Sequence, residues 1–144
     1  MTDPEIILRA LVDLIPEFDR KFVRPYHALL KNIMTQTQTK ILLFLSQSGR
    51  VSMSSISQEL DISRPQLTSC VDSLVRDGYL SRMTLENDRR IVEVELTPAA
   101  QNFLQKTSEE AVELYQKQFA ALPRTDMEEL YQSAVRIKQI LDKL

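Results

Sequence analysis

Residues 80–98, LSRMTLENDRRIVEVELTP, decide how the chain is read, because the hydrophobic period changes twice within them. Val92, Val94 and Leu96 alternate with Glu93 and Glu95, the two-residue period of a strand with one wet face. Leu80 to Thr84 supplies the companion strand, and the polar segment Glu86-Asn87-Asp88-Arg89 between them is a turn, so a two-stranded hairpin is expected. Thr97-Pro98 then restores helix, a capping side chain followed by a proline whose missing N–H costs nothing at the first helical position. The long helix it opens should run to about Ala121, where Pro123 breaks the chain.

Upstream of the hairpin the pattern is helical. Ser63-Arg64-Pro65-Gln66 reads as a capping box, and Leu67, Val71 and Leu74 line one face before Gly78 stops the helix. A shorter helix, capped by Ser52 or Ser54, ends at Asp61 with Ile56 and Leu60 on its inner edge. Another runs from Thr35 to Gln47 with Gln38, Ile41, Leu42 and Leu45 in repeat, and Gly49 ends it. Asp3-Pro4-Glu5 starts an N-terminal helix carrying Ile7, Leu8, Leu11, Leu14 and Ile15, which Pro16 and Pro25 should kink or divide before it ends near Met34. At the other end Leu130, Ala134, Ile137, Leu141 and Leu144 are spaced 4-3-4-3, the seam of a helix that packs along another helix.

Three short helices followed by a hairpin form the element order of a winged helix-turn-helix. The expected fold class is mostly α with a small antiparallel β-hairpin wing. A single domain follows from 144 residues: a DNA-binding lobe over 35–97, flanked by dimerisation helices over 1–34 and 98–144.

Composition excludes more than it proves. One cysteine and one histidine exclude an intrachain disulfide and any familiar zinc site, and leave no evident nucleophile and base for an enzyme. Neither a catalytic residue, a metal nor a cofactor is expected. No stretch is apolar enough to span a bilayer and the start carries no basic leader, so the expected location is the cytoplasm, away from membranes. A net charge of −2 argues against nucleic acid as a partner, and residues 37–97 hold seven Lys/Arg against eight Asp/Glu. Any positive patch has to come from arrangement.

The motifs themselves resemble the MarR family of transcriptional regulators. Met34-Thr35 with Gln38, Ile41, Leu42 and Leu45 looks like its second helix, and Leu74-Val75-Arg76-Asp77-Gly78-Tyr79-Leu80 with Arg82 is similar to its recognition-helix exit. Most specific is the run from Arg82 through Asp88-Arg89-Arg90 to Leu96-Thr97, which has the spacing of the family's wing signature. The resemblance implies that Asp88 holds Arg90 by a salt bridge while Arg90 enters the minor groove. It also implies that the terminal helices intertwine to form a homodimer on a pseudo-palindromic double-stranded operator, as a repressor. Physically, Arg89 and Arg90 at a hairpin tip can meet the enhanced negative potential of a narrow minor groove. On the recognition helix, about Ser63 to Asp77, Arg64, Gln66, Thr68 and Ser69 carry donors and acceptors for base edges or phosphates, and Arg76 can hold a flanking phosphate.

Two positions depart from the family pattern: Ser69 follows Thr68 where an arginine is frequent, and Ala100 stands where a glycine often follows Leu-Thr. With Asp72 also on the exposed face, non-specific binding should be modest. The family further implies a small-molecule effector, for which Phe18, Phe22, Tyr26, His27 and Phe44 are the candidate lining residues, although an aromatic stripe at helical spacing also suits a core. Cys70 should pack as a small apolar residue rather than sense oxidants. The competing reading is a winged-helix protein-interaction module that has lost DNA binding, which the acidic balance and Ser69 favour.

Overall fold

A computed structural model describes residues 3–144; Met1 and Thr2, the start of the expected N-terminal dimerisation segment, lie outside them. The chain forms two compact units, residues 1–107 and 108–144.

In the first unit, α1 (Pro4–Phe18) starts where Asp3 accepts from the Glu5 N–H, with Pro4 in the first turn. Pro16 does not divide it. The winding changes further on, over Asp19–Val23, where the Arg24 N–H reaches back five residues to the Asp19 carbonyl. Pro25, lacking an N–H, follows in the first turn of α2 (Arg24–Leu30).

α3 (Gln36–Ser48) carries the complete capping box: Thr35 Oγ1 accepts from the Gln38 N–H at 3.2 Å and Gln38 Oε1 accepts from the Thr35 N–H at 2.9 Å. The box expected at Ser63 is half made. Ser63 accepts from the Gln66 N–H at 3.4 Å, but the Gln66 amide returns no bond among the described residues. Thr35→Ala removes the Oγ1 that accepts from the Gln38 N–H and keeps the backbone N–H from which Gln38 Oε1 accepts. It should cost about 1–2 kcal/mol of stability, read as a lower urea midpoint with an unchanged slope.

After α3 come β1 (Val51–Ser52), α4 (Met53–Leu60) and α5 (Arg64–Arg76). Ser52 caps α4, and Asp61 ends it in the left-handed region at φ 50°. The turn from α4 to α5 is closed by the Ser57 hydroxyl, which donates to the Ile62 carbonyl at 2.6 Å. β2 (Leu80–Thr84) and β3 (Val92–Leu96) form the expected hairpin, but β1 adds to it, giving an antiparallel sheet in the order β1-β3-β2 with Val51 opposite Val94. Leu30 and Met34, with Ile41, Leu42 and Leu45 of α3, Ile56 of α4, Leu67, Val71 and Leu74 of α5, Leu80 and Val94, close a single core.

α6 (Pro98–Phe119) begins in the first unit, where Phe103 and Leu104 pack on this core. The first compact unit runs on to Thr107. The second unit holds the remainder of α6 and α7 (Arg124–Leu141). Among the described residues no helix is long and apolar enough to cross a membrane.

Candidate nucleic-acid interface

α5 buries Leu67, Val71 and Leu74 completely, which turns Arg64, Gln66, Thr68, Ser69, Asp72 and Arg76 outward. Its exit is fixed by one side chain. Thr97 Oγ1 donates to the Gly78 carbonyl at 2.7 Å and accepts from the Ala100 N–H at 3.2 Å, while the Thr97 N–H donates to the Tyr79 carbonyl at 3.1 Å. Gly78, at φ 84°, makes the turn between α5 and β2 that a side chain would strain. Leu96-Thr97, read from the sequence as a signature, is the clamp between the recognition-helix exit, the wing and α6. Ala100 is fully buried beneath it.

At the wing tip Asp88 Oδ1 accepts twice from Arg90, from the backbone N–H at 3.0 Å and from Nε at 3.2 Å. The carboxylate thus holds the near side of the guanidinium, and the Arg90 side chain remains 92% exposed. Neither Arg89 nor Arg64 makes an ion pair among the described residues.

Four of the eight carboxylates over residues 37–97 are engaged by arginines, Asp88 by Arg90 among them. Asp72 on α5 accepts from Nη2 of Arg82 on β2, Glu95 on β3 pairs with Arg50 at 3.2 Å, and Asp77 stands 3.9 Å from Arg76. Arg76 also donates to Ser73 Oγ at 3.2 Å, to which Gln38 Nε2 of α3 donates at the same distance. Asp72, on the exposed face as expected, is half of an ion pair. Between α5 and the wing lies a cleft of about 360 Å³ lined by Arg64, Thr68, Arg82 and Arg90 together with Ser52 and Ser54. Arg64, Thr68 and Arg90 thus share a surface, with Gln66 and Ser69 elsewhere on the exposed α5 face and Arg89 at the wing tip.

Of the aromatic set expected to line an effector pocket, the Tyr26 and His27 rings lie 6.3 Å apart. Phe18 is 60% exposed and lies 5.0 Å from the Phe22 ring, whereas Tyr26 and Phe44 pack against the core. Among the described residues His27 lines a cavity of about 320 Å³, beside Arg24, Lys31 and Met34, and its Nδ1 is buried with no hydrogen-bond partner. Helical spacing put Phe18, Phe22, Tyr26 and His27 on one segment, and Phe44 on the next helix, without deciding which way each ring turned. Cys70 packs on the core, and burial pushes its thiol up from the ordinary value, as suits an inert side chain.

The MarR family model matches residues 34–92, the stretch from just before α3 to the first residue of β3. The chain is 25% identical over 119 residues to the HTH-type transcriptional regulator YpoP of Bacillus subtilis, covering 83% of this chain and 79% of that one. It is 32% identical over 90 residues to the HTH-type transcriptional regulator PrsX of Escherichia coli, covering 62% of this chain and 54% of that one. In fold it is similar to the structure of a MarR family protein from Bacillus stearothermophilus, with a TM-score of 0.77 at 15% identity, over 98% of this chain and 99% of that one.

Proposed function

We propose that the chain, whose residues 34–92 match the MarR family model, is a MarR-family transcriptional regulator rather than an enzyme, and a sequence-specific repressor that binds double-stranded DNA as a homodimer. α5 enters the major groove and Arg90 the minor groove. The observation that carries this reading is the Asp88–Arg90 pair, which presents a 92% exposed guanidinium at the tip of the wing, on the same lobe as the outward face of α5. Arg64, Gln66, Thr68 and Ser69 then read base edges or hold phosphates, with Arg76 and Arg89 on flanking phosphates. The operator is pseudo-palindromic, since two recognition helices related by a two-fold axis meet half-sites about one helical turn apart. Release by a small-molecule effector completes the reading; the cavity at His27, flanked by the cations Arg24 and Lys31, suits an anion.

Selection from a random duplex pool, followed by anisotropy titrations across a salt series, tests the proposal. One sequence should be enriched, with a log–log salt slope of about −0.9 for each phosphate neutralised. No enrichment together with a flat salt response would instead favour a protein-interaction module.

A further inference from the structure

An arginine that faces a polyanion accepts any phosphate, whatever the base sequence. Arg82 is placed to do so: it leaves β2 at the cleft shared with Arg64, Thr68 and Arg90, and its side chain stays 36% exposed. Its Nη2 is already engaged, however, by Asp72 Oδ1 on the recognition helix. The pair spans two elements and both partners touch solvent, so its contribution to folding is small. Its geometry matters more. Asp72 is the one carboxylate on the outward face within α5, and it sits where a cation would strengthen DNA binding.

We propose that Asp72 is a specificity-determining residue that acts through Arg82, holding that guanidinium across the gap between recognition helix and wing so that it is not spent on indiscriminate phosphate contact. The inference rests on the DNA-binding reading above. A non-specific phosphate must compete with the Asp72 carboxylate for Arg82, whereas a correctly seated operator, fixed by the wing and by α5, gains little from that arginine and loses little to the competition.

The test is a double-mutant cycle on the full-length protein, with the duplex selected by the wild type and a scrambled duplex as the two probes. Asp72→Asn should raise affinity for the scrambled duplex about five- to tenfold at low salt and steepen its salt slope by about one phosphate, while affinity for the selected duplex changes less, so discrimination falls. In an Arg82→Ala background Asp72→Asn should do neither, and Asp72→Glu should keep the wild-type ratio. Unchanged thermal melting certifies each fold. An equal gain from Asp72→Asn with and without Arg82 would reduce the effect to lost repulsion and overturn the inference, as would an unchanged ratio. A wild type with no salt-dependent binding to either duplex overturns the DNA-binding reading itself, and this inference with it.

Discussion

Arg90→Ala is expected to weaken binding to the selected operator by about 1–3 kcal/mol, roughly 5- to 150-fold, and to leave stability within about 0.5 kcal/mol of wild type. The asymmetry follows from the wing geometry. Arg90 is 92% exposed and buries nothing, so the folded state hardly depends on it. Its Nε is held by Asp88, which leaves the outer edge of the guanidinium to meet DNA already oriented. Asp88→Ala keeps the charge but loses the orientation, and should cost about three- to tenfold, the entropy of immobilising one long side chain. Arg90→Lys restores charge without the planar fork and should recover affinity for scrambled DNA more than for the operator. Anisotropy at fixed salt reads all three. Arg90→Ala binding like the wild type, with the same salt slope, would remove the wing from the interface.

Much of this site was legible because its signals are local. The period change at Leu80–Leu96, the Asp3-Pro4 and Thr97-Pro98 caps and the Asp88–Arg90 spacing each need only a few neighbouring residues to be seen, and each appears in the structure. What escaped was non-local or ambiguous. β1 is two residues long, too short to show alternation, and exists because Val51 meets Val94 far along the chain. The Thr35–Gln38 box had the same spacing as Ser63–Gln66, and sequence alone could not say which glutamine would return the bond. The Asp72–Arg82 pair was not legible because Arg82 lies ten residues away on another element. Tyr26 and Phe44 have the composition of a pocket and the position of a core.

Leu11→Asp should convert a dimer into monomers while leaving the fold of each chain intact. No residue of α1 is buried: Ile6, Ile7, Leu8, Leu11, Val12, Leu14, Ile15 and Phe18 are all at least 40% exposed. Glu5, Arg9, Asp13 and Glu17 recur every four residues, so polar groups are largely confined to one stripe and the rest of the helix surface is mostly apolar. On α7, Met127, Leu130, Tyr131, Ile137, Ile140 and Leu141 are likewise exposed. Monomers seldom leave an apolar helix surface like that of α1 to water. A second copy of the chain would cover it, each fully buried large aliphatic side chain contributing about 1.5–3 kcal/mol. An aspartate at position 11 then enters the interface twice, once from each copy, and two desolvated carboxylates should weaken association by about 3 kcal/mol or more, over 100-fold in the dimer dissociation constant. If the chain were monomeric, the same substitution at a 40% exposed position would be nearly neutral. Sedimentation at several concentrations separates the two outcomes, and a wild-type melting temperature that rises with concentration is the independent sign of a dimer. The loss must carry through to DNA, because a lone recognition helix covers one half-site: Leu11→Asp should abolish discrimination between the selected duplex and one with half of its palindrome scrambled, even though residue 11 lies outside the α5 and wing surface.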